Sequence, residues 1–286
     1  MTAGVSAASA TGNKLVSEIV PDQVLPKVLG TFDLVCVYVF IIFFVSGSSI
    51  IAGGGWASMS MWICGFVLFL APAAAAVAEL GGLWPSQGGV YIWAYHTLSE
   101  QMAFLGGFLS WIPVILNGTL VPAGAVAGLS YAFNWHLGLT ANIVLQLVLL
   151  WGCVAFAMRK LTLTQAVARA VFVFYAAGVA AVLVAGVIVA IRNGAPAVGF
   201  TGKEAFSFNF GKSGWVFGVI LLYLLGVETP YNMGAEFVKP RSALKMVLWG
   251  SLALSIGYLF GTIGILLSTP ADELNAITGV PRVSAT

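Results

Sequence analysis

Few side chains here carry the makings of chemistry, and the deepest of them is Glu228. It follows Gly226-Val227 and precedes Thr229-Pro230, inside an apolar run bracketed by Lys212 and Lys239. An ionised carboxylate at such depth is costly and marks a functional position. It either titrates and couples a process to protons, since desolvation raises a carboxyl pKa, or partners a lysine or backbone amides on a neighbouring helix. Asn117, central in a long uncharged run, either faces the same cavity or makes an interhelical hydrogen bond. Ser46-Gly47-Ser48-Ser49 is a polar interruption in another apolar run. No second acid and no histidine pair joins Glu228 at depth; His96 and His136 sit near the ends of runs. Cys36, Cys64 and Cys153 lie singly in apolar runs, without the paired spacing of a metal site, and are expected to pack as small hydrophobes. No metal, no cofactor and no enzyme activity are expected.

The surroundings of these residues decide their solvent. Hydrophobic residues make up 60% of the 286, and charged residues 8%, against about 25% charged in soluble domains. The excess demands hydrocarbon, and a net charge of +2 without a basic stripe excludes nucleic acid as partner. Seven runs predict membrane-spanning helices: 34–53, 57–78, 102–133, 141–158, 170–191, 215–234 and 246–268. Pro113 and Pro122 are expected to kink the long third one. The fold class is therefore all-α and polytopic. Residues 1–30 read as a mobile cytoplasmic tail, 31–192 as a first unit of five helices, 193–212 as an extracellular loop, and 213–286 as the start of a second unit. With the N-terminus inside, eight Lys and Arg fall on the cytoplasmic side against four outside, as the positive-inside rule favours. The C-terminus is then outside.

Two of these spans are poor helices at their centres. Serine hydroxyls compete for backbone carbonyls around Gly47. Pro230 removes a ladder donor and clashes one turn back, beside Gly226. Irregular backbone at that depth is tolerated where it lines a cavity. Two interrupted helices, five spans apart, are what an inverted five-helix repeat produces. Such breaks point a half-helix N-terminus toward an anion and free carbonyls toward a cation, and a zwitterionic amino acid carries both. Gly53, Gly54 and Gly55, and Gly178 and Gly186 in span five, read instead as packing or loop glycines.

The same residues carry a family likeness from Val28 onward. Gly47-Ser48-Ser49-Ile50, then Ala78-Glu79-Leu80 with Pro85 and Gly88-Gly89-Val90-Tyr91, then Gly226-Val227-Glu228 with Ala235-Glu236 and Val238-Lys239-Pro240-Arg241, resemble three motifs of the amino acid–polyamine–organocation transporter superfamily. Gly226-Val227-Glu228 and Gly194-Ala195-Pro196 are similar to its bacterial glutamate/γ-aminobutyrate antiporter branch. The resemblance implies a leucine-transporter-type inverted-repeat fold, its second repeat incomplete. It implies a carboxylate cradle from Ser46, Gly47, Ser48, Ser49 and Ile50, and carbonyls at Tyr223, Leu225 and Gly226 facing the amino group. Glu79, Gly88 and Gly89 would shape the cytoplasmic end. Leu222 and Leu224 stand where members often carry aromatics, so the likeness does not extend to a stacking lid or a cationic substrate. Members usually have twelve helices; a chain of seven is expected to be a fragment that binds weakly and does not transport alone.

The function expected is thus secondary active transport of amino acids or amines across a cell membrane by alternating access, with protons as a further partner. A seven-helix receptor or sensor is the alternative. Such receptors usually run N-outside, and a retinal pigment needs a lysine within the last span, where only Lys245 stands, at its entrance.

Overall fold

Lipid offers backbone amides and carbonyls no partner, so a chain this apolar satisfies them within helices. The computed structural model describes residues 15–159, 161–206 and 210–270. Among them one isolated bridge, Leu29 to Phe237, is the only β pairing. The helices are α1 Val16–Val24, α2 Thr31–Ile42, α3 Val45–Ala52, α4 Ala57–Leu83, α5 Val90–Thr97, α6 Glu100–Ala132, α7 Leu139–Ala157, α8 Leu161–Asn193, α9 Phe210–Tyr223 and α10 Pro240–Ser268. A 3-10 segment, Thr229–Glu236, joins α9 to α10.

Four helices, in α4, α7, α8 and α10, are long and apolar enough to cross a membrane, or five spans if α2 and α3 form one span bent by 49°. The chain is a helical membrane protein. One of the seven expected spans falls short of that measure. The sixth, α9, ends after 14 residues, about 21 Å of helix, because the backbone breaks beyond Tyr223. The third is the continuous α6, 33 residues from Glu100 to Ala132. Within the stretch read as a mobile tail, residues 16–24 are helical; residues 1–14 lie outside the described residues. Glu18 of α1 reaches His96 of α5 at 3.0 Å, and the imidazole stacks on Trp84.

The core gathers around α2. Leu34, Tyr38 and Ile42 pack with Trp62 of α4, Ile220 of α9 and Tyr258 of α10. Helix α10 lies against α8, α2, α3 and α4. Asp33, in the first turn of α2, accepts from the Gly30 amide at 3.2 Å and pairs with Arg169 of α8. By contrast, α7 buries none of its residues.

Candidate substrate site

The first helix break falls at Phe43 and Phe44, whose ψ angles of 108° and 113° are extended. That is earlier than the Ser46–Ser49 expected from the polar run. Those serines instead open α3, where short polar residues suit a helix start. The reason for the shift lies on α10. The Tyr258 hydroxyl donates to the Ile42 carbonyl at 2.9 Å and accepts from the Phe44 amide at 3.2 Å. One buried phenol therefore serves groups on both sides of the joint that the ladder would otherwise hold. Its ring is stacked on Trp62, which donates to Thr262 at 3.1 Å.

The second break follows Tyr223. Gly226 has φ +107°, a left-handed conformation that glycine adopts without a Cβ penalty. Its carbonyl accepts from Thr229 at 3.0 Å. The carbonyls of Tyr223, Leu224 and Leu225 accept no backbone hydrogen bond among the described residues. Of the carbonyls expected to face an amino group, that of Gly226 is therefore already engaged.

The two breaks meet. A Cβ built on Gly47 would stand 3.2 Å from the Tyr223 ring, and one on Gly226 would stand 3.5 Å from Ile42. Tyr223 also bonds the Ser46 side chain and packs near Phe44, ring centroids 6.3 Å apart. The first turn of α3 thus packs against the Tyr223 ring at the end of α9, joining residues distant in sequence. Ser48 and Ser49 are buried there, Ile50 is half-buried, and Leu225 is exposed. The Ser48 hydroxyl, 1% exposed, has no hydrogen-bond partner among the described residues.

Other expected positions lie apart. Glu228 is half-buried where the 3-10 segment starts, within electrostatic reach of Tyr38. Asn117 sits in α6, whose neighbours are α5 and α7; its side chain lies outside what is described. Glu79 is exposed. Gly88 and Gly89 have φ of +104° and +37°, and Gly89 lies against Asn232 and Tyr231 of the 3-10 segment. Among the described residues no group of three metal-ligating side chains forms. Burial pushes the Glu236 carboxyl above its ordinary range, and one of its oxygens is buried without a partner among the described residues.

Residues 28–286 match the model of the amino acid permease family. The chain belongs to that family. Among curated relatives, this family member is 25% identical to an uncharacterised transporter of Legionella pneumophila over 89% of its own length and 56% of the relative's. It is 20% identical to the probable agmatine/putrescine antiporter of Lactococcus lactis, over 87% of itself and 53% of that protein. It is 24% identical to a glutamate/γ-aminobutyrate antiporter of the same species, over 76% of itself and 45% of that protein. The chain spans about half the length of the curated relatives it matches. No solved structure matches it.

What sequence reasoning missed in this permease-family chain is the supporting layer. Tyr258 had no signal, because tyrosine in an apolar helix reads as interfacial or core. The α10 glycines did: a Cβ on Gly250 would meet Tyr38, one on Gly257 would meet Phe43, and one on Gly261 would meet Ser48. Of the span-five glycines, Gly186 packs on Gly264 as expected, whereas a Cβ on Gly178 meets nothing within 4 Å.

Proposed function

We propose that the protein is a secondary active transporter of amino acids or amines that works by alternating access, with substrate held where the two breaks meet. The observation that carries this is the approach of Gly47 to Tyr223 and of Gly226 to Ile42. At that point the α3 N-terminus offers amide hydrogens and positive partial charge to a carboxylate. The carbonyls of Tyr223, Leu224 and Leu225 offer acceptors to an ammonium group. Ser46, Gly47, Ser48, Ser49 and Ile50 form the first side, and Tyr223, Leu225 and Gly226 the second. Glu228 takes the proton when transport is coupled to one.

The wider scheme is seven spans in this chain, a leucine-transporter-type inverted repeat with its second half incomplete, and the N-terminus in the cytoplasm of a cell whose plasma membrane holds the protein. Antiport is favoured by the likeness to two relatives named as antiporters. The test is counterflow in proteoliposomes holding the protein as its gene encodes it. Exchange of a labelled amino acid or amine, lost at least tenfold on Gly47→Val, supports the site. Exchange that survives that substitution overturns it. The 286-residue chain alone is expected to bind and not to transport; substrate-specific flux by it overturns its reading as a fragment.

A further inference from the structure

A cavity of about 390 Å³ opens beside the first break, between α3, α8 and α10. Its wall includes Phe43, Ser48, Phe174, Gly178, Val182 and Gly261. The volume lies within the range of small-molecule pockets, about 300–1,000 Å³. Among the described residues no charged side chain lines it. Among the described residues the one fully buried hydroxyl on the wall is that of Ser48, which has no partner among them, and a buried polar group left unpaired is costly. Ser48 stands in the first turn of α3, the helix end assigned above to the carboxylate.

Resting on the transporter reading above, we propose that this cavity receives the side chain of the transported amino acid, and that the substrate class is the neutral apolar amino acids. The side chain and the carboxylate branch from one carbon, so a subsite for the former must begin within about one helical turn, 5.4 Å, of the seat of the latter. The cavity begins there, at Ser48 and at the break residue Phe43. Aliphatic or aromatic side chains gain by leaving water in such a wall. A second carboxylate or ammonium group would be desolvated without a counter-charge. Ser48 meets the substrate's carboxylate or ammonium group at the mouth. This specificity differs from the glutamate, γ-aminobutyrate, agmatine and putrescine named for the relatives.

Gly178→Leu shortens the cavity from the α8 side, where an added Cβ meets nothing within 4 Å, and it removes a glycine from a helix interior. The protein as its gene encodes it is reconstituted, and counterflow is measured with L-phenylalanine, L-leucine, L-alanine, L-glutamate, γ-aminobutyrate and putrescine. The expected result is exchange of phenylalanine and leucine, with Gly178→Leu raising KM for phenylalanine at least tenfold relative to that for alanine. Phenylalanine exchange with an unchanged ratio overturns the cavity as subsite, leaving the transporter reading intact; a lipid chain is then its occupant. Exchange of glutamate, γ-aminobutyrate or putrescine without phenylalanine or leucine overturns the substrate class alone. Exchange of none of the six, by protein that also binds none, overturns both readings.

Discussion

Helices α7 and α10 are both apolar enough to cross a bilayer, yet the spanning window of α7 is 0% buried and that of α10 is 44% buried. Apolarity therefore does not distinguish them. In lipid the hydrophobic effect gives helices no reason to associate, so close packing and hydrogen bonds must do it. Helix α10 has both. Gly250, Gly257, Gly261 and Gly264 seat Tyr38, Phe43, Ser48 and the Val182–Leu183 backbone. Ser251 bonds Tyr38 at 3.0 Å, while Tyr258 and Thr262 bond the break and Trp62. In α7 the glycine Gly152 meets nothing within 4 Å, and Asn142 and Gln146 bond each other on the same helix. The lesson is that the inner helix is marked by what its small and polar residues touch.

The sharpest way to break this contrast is to fill a seat. Gly250→Leu drives a side chain into Tyr38 and is expected to destabilise by about 1–3 kcal/mol or more. Gly152→Leu, where a Cβ meets nothing, should equal the parent or gain up to about 1 kcal/mol from helix propensity. Thermal unfolding in detergent compares them, and equal losses would remove the distinction between the helices.

Next in size is Tyr258→Phe, which keeps the ring and strips the hydroxyl from the joint. Each buried group left unpaired costs about 1–3 kcal/mol, and the Ile42 carbonyl and Phe44 amide are two. Tyr131→Phe, on exposed α6, is the control. Matching unfolding curves for the two variants would show that the break holds without its phenol.

Gly226→Ala forces a Cβ into a left-handed conformation, costing about 1–2 kcal/mol. Gly124→Ala in α6, where a Cβ meets nothing, should instead gain up to about 1 kcal/mol from helix propensity. Opposite signs in the same unfolding assay are expected; a neutral Gly226→Ala would mean the break relaxes into ordinary helix.

The smallest effect is in pH dependence. Burial raises the Glu236 carboxyl above its unfolded value, so the folded chain holds the proton longer. Stability from this group is present below the unfolded pKa and is lost as pH rises through the higher folded one. Glu236→Gln should flatten that part of the profile and unfold at a higher temperature than the parent at neutral pH. Parallel pH profiles for the two proteins would show that the raised carboxyl does not limit stability.

One of the two helix breaks was legible because breakers are local. Pro230 and Gly226 announced the second break from their own stereochemistry, and the structure has it there. The first break was misplaced because Phe43 and Phe44 carry no local tendency to interrupt a helix. Their conformation is held by a tyrosine more than two hundred residues on. Glu18 and His96 were likewise read apart, and their pairing depends on how α1 and α5 come together.

The sequence by itself determined the solvent, the helical class, the family and the presence of two irregular spans. All four follow from composition, from the stereochemistry of glycine and proline, or from motifs in order along the chain. Tertiary structure alone decided which apolar helices lie inside, where the first joint bends, and that the two joints touch. Lipid and helix interior favour the same side chains, so the choice between them rests on long-range contacts that no local pattern encodes.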